Sequence, residues 1–200
     1  MTPKTLKALD RRLQQFLEEL TEPMGRSERR RWARVYLEGL LLDGERQSRE
    51  PRAARVGAEV QALRQFLGQS PWEVEEGQHR WALTVVDLRR EPELWIIEET
   101  AFPKAGEPAV GVARQYGGTL GKVAHCQVAV SLPCSSAATS CPILWRLCLP
   151  KEWLEDAARA AEVKLPRGTT CRSKTELALE VIGQALGWEL PRLPVVADSF

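Results

Sequence analysis

Histidine is nearly absent from this chain: His79 and His125 are the only two in 200 residues. The five cysteines, Cys126, Cys134, Cys141, Cys148 and Cys171, form no Cys-x-x-Cys pair. A structural zinc site draws four Cys or His ligands from closely spaced pairs, and the sequence offers none. An odd cysteine count without framework spacing points to reduced thiols rather than a secreted disulfide scaffold. Cys134 and Cys141 flank a small-residue loop and could pair, but nothing in the sequence demands it. Long apolar runs are missing too. No segment approaches the roughly 20 apolar residues that span a bilayer. The N-terminus lacks a charged-then-apolar leader pattern. The expectation is a soluble, cytoplasmic protein with no membrane partner.

Hydrophobic residues make up 44% of the chain and include seven tryptophans, ample for a packed core in one domain with an appendage or in two small domains. Charge nearly cancels overall, at +1, yet it is unevenly placed. Residues 1–70 hold 14 Lys and Arg against 10 Asp and Glu, a balance of +4, and the remainder holds 14 against 17, or −3. The cations cluster as Arg29, Arg30, Arg31 and Arg34, then as Arg46, Arg49, Arg52 and Arg55. Such clusters suit a phosphate backbone. They equally suit solvated helix faces, and sequence alone leaves both readings open.

Leu6, Leu9, Leu13, Phe16, Leu17 and Leu20 recur at helical spacing and predict an amphipathic helix over residues 4–20. Pro23 and Gly25 end it. A second helix opens at Ser27 and Glu28, with Trp32, Val35, Tyr36 and Leu40 on one face and Arg30, Arg31 and Arg34 turned largely away. Residues 43–52 read as a polar connector. Val56, Val60, Leu63 and Leu67 mark a third helix. Ser70-Pro71-Trp72-Glu73 is a helix start, with Ser as N-cap and Pro at the first position. That fourth helix runs through Trp81, Val85 and Leu88.

The periodicity changes at Glu93. Leu94 to Ile97 is a short apolar run that reads as a buried strand ending in Glu98 and Glu99. Carboxylates there are costly unless they meet cations or metal. Ala109–Tyr116, Lys122–Leu132 and Ile143–Leu149 follow as strands, the first two joined through Gly117, Gly118 and Gly121 as in a hairpin. Pro133 to Pro142 reads as a loop. Pro150 starts a helix through Ala161, and Ser173 with Glu176 forms a capping box for another that stops at Gly187. Leu193–Ala197 is a last strand, meeting Asp198. The fold class expected is α+β. An N-terminal helical region, 1–90, precedes an incomplete ribonuclease-H-like mixed sheet with helices, 91–200, whose last strand lies beside its first.

Several stretches carry a resemblance. Glu98 to Gly106 reads Glu-Glu-Thr-Ala-Phe-Pro-Lys-Ala-Gly. It resembles the Asp-Asp/Glu-Thr-Gly-Phe-Pro-Lys-x-Gly of bacterial insertion-sequence transposases of the DDE type, in particular the insertion sequence 701 type. Val110–Gly117 and Gly121–Val130 are similar to that family's next two strands. Leu147-Cys-Leu-Pro-Lys-Glu-Trp153 is similar to its Leu-Tyr-Leu-Pro-x-x-Trp, Val195 to Asp198 to its second acidic motif, and Phe66 to Trp72 to its helical signature. The likeness spans roughly residues 27–200 in the family's order.

The resemblance implies cutting and joining of DNA at transposon ends. Three carboxylates would hold two Mg²⁺ ions roughly 4 Å apart, oxygen ligands being the suitable kind for that hard ion. Glu98 takes the first acidic place and Asp198 the second. Lys104 and Arg114 become candidates for phosphate contacts, against the alternative of plain surface charges. Arg29–Arg34 and Arg46–Arg55 become candidates for contacts along DNA. Two departures stand out. The family's first carboxylate is Asp, whereas Glu98 is longer by a methylene. The chain stops two residues after Asp198, before the family's third acidic residue; Glu176 or Glu180, on the preceding helix, could lie near the sheet, against the alternative of a helix cap and a solvated face. The expectation is a truncated transposase, impaired or inactive alone, with the alternative of a non-catalytic DNA-binding protein that could associate with itself or with intact transposase.

Overall fold

The computed structural model describes residues 2–41, 59–70, 74–88, 91–104 and 109–197. The chain divides into two compact units, Met1–Arg80 and Trp81–Phe200.

In the first unit, α1 (Pro3–Thr21) is capped by Thr2, whose side chain accepts the Thr5 N–H. Of the leucines that predicted its apolar face, Leu17 is fully buried, whereas Leu6 and Leu9 are exposed. α2 (Ser27–Leu41) and α3 (Val60–Gln69) meet over Ala33, Leu63 and Phe66, with Met24, Trp32 and Tyr36 packed around them. Trp32 is thus half-buried against that core, on the face its helical spacing suggests. α4 (Val74–Leu88) begins in the first unit and continues into the second, where Ala82 and Val85 are buried.

The second unit is a mixed five-stranded sheet: β1 (Leu94–Pro103), β2 (Ala113–Gly117), β3 (Lys122–Ser135), β4 (Ser140–Cys148) and β5 (Val195–Ala197). β3 is the long central ladder. Its first residues pair with β2, and residues 126–135 pair antiparallel with β1. Residues 128–135 pair with β4. β5 lies parallel to β1 on the opposite edge, through Trp95↔Val195, Ile96↔Val196 and Ile97↔Ala197. The last strand does lie beside the first.

Three strand boundaries differ from expectation. β1 does not end at Ile97 but runs on to Pro103, so Glu98 and Glu99 stand within the strand. β2 begins only at Ala113, after a turn at 109–112. The Pro133–Pro142 segment is mostly strand, because the ladder absorbs Pro133 at an irregularity between Leu132 and Pro133. A proline removes a ladder N–H, and a bulge is where a sheet tolerates that. The β2–β3 connection is the predicted glycine turn. Gly121 sits at φ 63°, in the left-handed region. A Cβ on Gly117 would come within 2.6 Å of the Ala101 Cβ.

After β4 the expected helix breaks in two, α5 (Glu152–Glu155) and α6 (Ala157–Glu162), at Asp156, whose side chain accepts the Arg159 N–H. Trp153 is fully buried, donates its ring N–H to the Val112 carbonyl at 3.0 Å, and lies under the Arg159 guanidinium. α7 (Lys174–Gly187) starts with the predicted capping box, Ser173 and Glu176 each accepting from the other's backbone. It lays Leu177, Ala178, Val181 and Ala185 on Trp95, Ile97, Val130, Leu132 and Leu144. All five cysteines are free thiols, and Cys134 faces Cys141 directly across the β3–β4 ladder. Burial, before any other influence, pushes the Cys126 and Cys148 thiols above their ordinary value.

Candidate active-site face and basic helix

Successive side chains on a strand point to opposite faces. Trp95, Ile97 and Ala101 are buried on one face of β1. A one-residue slip would expose all three, so burial fixes the register. Glu99 necessarily falls on that core face, where an unpaired charge is costly. It is paired: Lys174 of α7 donates to its carboxylate, and the Gly118 N–H donates to Oε1 at 2.6 Å. The Glu99 side chain is 8% exposed. Thr119 completes the arrangement by accepting the Ala101 N–H at 2.9 Å. Glu99 therefore ties β1 to α7 and to the β2–β3 turn, and it is spent in doing so.

Glu98 points the other way and is exposed. Its cross-strand neighbour is Ser131, which in turn faces Trp145 on β4. Among the described residues no cation or donor engages the Glu98 carboxylate. Free carboxylate oxygens on an open sheet face suit a hard divalent ion as one ligand. Among the described residues, however, no three His, Cys, Asp or Glu gather closely enough to hold a metal. Asp198 lies outside the described residues; Ala197, its neighbour in sequence, is in register with Ile97, the neighbour of Glu98.

The stand-ins for a third carboxylate are occupied on the opposite face. Arg146 is in the same cross-strand row as Val130 and Glu99, and its Nε donates to Glu180 at 2.8 Å. Arg172 holds the other oxygen of Glu180. Glu176 is consumed by its capping box, and the Ser173 backbone N–H, ahead of the Ser173 hydroxyl, holds its carboxyl below the usual carboxylate range. Lys104 and Arg114 flank His125 from the two sides of β3 and are not brought to Glu98. The Lys104 N–H donates to the His125 carbonyl at 3.1 Å, and Arg114 is in register with His125. At about 3.3 Å per residue, Lys104 is roughly 20 Å along the chain from Glu98. Sequence reading missed Lys174 altogether: it stands inside the legible capping box, but its partner is 75 residues away.

In the first unit, α2 carries the basic cluster. Arg34 pairs with Glu18 at 3.4 Å, while its Nε is buried without a hydrogen-bond partner. The Arg31 guanidinium lies 5.5 Å from the Trp32 ring centroid. Arg29 and Arg30 form no ion pair among the described residues. Arg30, Arg31 and Arg34 border a shallow depression, and Arg29 faces a groove between α2 and α3. Arg46, Arg49, Arg52 and Arg55 lie outside the described residues.

A parallel edge strand beside β1, an antiparallel β1–β3–β4 core and packed helices are consistent with a ribonuclease-H-like α+β fold. Residues 15–200 match the DDE superfamily endonucleases, and the chain belongs to that family. Within it, the chain is 32% identical over 165 residues to a protein of Microchaete diplosiphon described as a "Probable transposase for insertion sequence element IS701". The match takes in 80% of this chain and 40% of that relative, so the chain spans less than half of the relative's length. No solved structure matches the chain. Endonucleases of this superfamily generally use a divalent metal ion. No helix among the described residues is long and apolar enough to cross a membrane.

Proposed function

We propose that this chain takes part in insertion-sequence transposition, cutting and joining DNA at transposon ends, with Glu98 and Asp198 as two acidic ligands for Mg²⁺. The observation that supports it best is the parallel register of β1 and β5. Ile97 pairs with Ala197, and one peptide bond separates each from the proposed ligand. Consecutive Cα atoms are about 3.8 Å apart, so each proposed ligand follows directly in sequence on a residue of that paired register. When bound, the ion would activate the attacking oxygen and offset charge on the leaving one.

The chain's own contribution is to aim Glu98. Trp95 and Ile97 anchor β1 on the core side, and the Glu99–Lys174 pair holds the next residue down. Glu98 is left facing outward, with nothing among the described residues competing for its oxygens. Its extra methylene relative to Asp moves the carboxylate by about an ångström, and Mg²⁺ tolerates little departure from octahedral geometry. A misplacement of that size costs on the order of 100-fold in rate. Activity of this chain alone is accordingly weak.

The test is Mg²⁺-dependent nicking of supercoiled DNA carrying the insertion-sequence ends. Glu98→Asp is expected to raise nicking by up to roughly 100-fold, and Asp198→Asn to abolish it. If Glu98→Asp and wild type both nick and Asp198→Asn nicks as well as either, the site is elsewhere. A second reading, a DNA-binding protein without catalysis that associates with itself or with intact transposase, is favoured by Arg29 and Arg30 of α2, which form no ion pair among the described residues. Salt-dependent DNA binding with no nicking by wild type or Glu98→Asp would select it.

A further inference from the structure

The groove between α2 and α3, of about 290 Å³, is walled by Arg26 and Arg29 on one side and by Gln65 and Gln69 on the other. Trp32 also lines it, and Glu28 is the one carboxylate on its rim. Among the described residues neither Arg26 nor Arg29 has an ion pair. Four other arginines are paired, Arg34 with Glu18, Arg80 with Glu22 and Glu76, and Arg146 and Arg172 with Glu180; what sets Arg26 and Arg29 apart is that both line one groove. Two unmatched guanidiniums on one concave wall repel each other unless an anion lies between them. Gln65 and Gln69 are four residues apart on α3 and share a face, so both amides can address the same ligand. Beneath them Phe66 and Leu63 are buried, and the walls are built on packed helices.

We infer that this groove is a duplex-DNA contact site, with Arg26 and Arg29 on backbone phosphates and the Gln65 and Gln69 amides on the adjoining sugar-phosphate or base edges. It rests on the proposed action on DNA and gives that action a surface distinct from the Glu98 face. Guanidiniums bind phosphate oxygens bidentately. Phosphate contacts fix position and orientation, and amide side chains can add base readout, Gln to adenine being the favoured pairing. Glu28 on the rim opposes the approach of phosphate and so weakens the attraction of the two arginines.

The experiment measures binding of the full chain to a labelled random-sequence duplex across a salt series. Each phosphate neutralised adds about 0.9 to the slope of log affinity against log salt. Arg26→Ala with Arg29→Ala should flatten that slope by about 1.8 and weaken binding to every sequence. Gln65→Ala with Gln69→Ala should weaken binding roughly 10-fold and leave the slope alone, because amides release no counterions. Glu28→Gln should tighten binding. Lys4→Ala with Lys7→Ala, an equal charge loss on exposed α1, should leave the slope unchanged. If wild type binds but the arginine pair changes nothing, or the lysine control flattens the slope equally, the groove is not the site and the action on DNA stands. If wild type shows no salt-dependent binding even at low salt, that action fails together with the groove.

Discussion

On the core face of β1, Trp95, Ile97 and Ala101 are packed out of water and Glu99 is clamped by Lys174 and Gly118. On the open face of the same strand, Glu98 stands exposed beside Ser131, with Trp145 two strands away. Two carboxylates adjacent in sequence are thus assigned different work by the pleat alone. The core-side one is a structural tie, whose charge must be answered. The open-side one meets no partner among the described residues, and such polar groups on a scaffold's surface are where ligands are met.

The sharpest way to break this contrast is to remove the answer to Glu99. Lys174→Ala leaves a carboxylate with 8% side-chain exposure and no cation among the described residues. Breaking one partner of a buried pair costs about 3–5 kcal/mol. Because Lys174 is 27% exposed and water can partly screen the orphaned charge, the low end, about 3 kcal/mol, is expected. Urea unfolding of the full chain reads it. Glu99→Gln added to Lys174→Ala should recover part of the loss, since the amide can still accept from Gly118. A Lys174→Ala protein as stable as wild type would mean that the tie is decorative.

The helices and the α+β class were legible because their signals are local: leucines at three- and four-residue spacing, and the Ser173–Glu176 box. Strand boundaries were less legible, for a physical reason. Glu98 and Glu99 look like a strand's end because charge in a buried strand is costly, yet Lys174 cancels that cost from another element. Pro133 looks like a loop until the β3–β4 ladder supplies an irregularity to hold it. Leu6 and Leu9 obey the helical period and are still exposed, since period locates a stripe without guaranteeing a partner for all of it. The acidic candidate Glu98 was found by motif. That it is free and outward-facing, while Glu99 is not, needed the sheet.

A smaller effect sharpens the same contrast through α7, whose first residue is Lys174. Ser173→Ala removes the N-cap and should cost about 1 kcal/mol, loosening the helix that delivers the lysine to Glu99. The cap also carries a pH signature. The Glu176 carboxyl lies below its ordinary value because the Ser173 N–H and hydroxyl stabilise the charged form. A depressed folded-state value contributes stability that is present above the ordinary carboxylate range and lost as pH falls through the folded value. Glu176→Gln should therefore narrow the stability gap between neutral and acidic pH. An unchanged acid limb in the variant would remove Glu176 from the account.

The smallest effect expected is the most telling for function. Glu98→Gln alters no ion pair or hydrogen bond among the described residues and keeps the side chain's volume. Surface substitutions of this kind fall within about 0.5 kcal/mol, so denaturant unfolding of Glu98→Gln should overlay wild type. Against the roughly 3 kcal/mol expected for Lys174→Ala, neighbouring carboxylates would then differ severalfold in structural worth. A residue without structural worth is free to be optimised for a ligand, and the gain, if Glu98 is a metal ligand, appears when metal is added. Divalent ion should raise the melting temperature of wild type and leave Glu98→Gln where it was, since binding to the native state alone stabilises by mass action. A Glu98→Gln protein that is clearly destabilised without metal would move Glu98 into the same structural class as Glu99 and remove the asymmetry of the two faces.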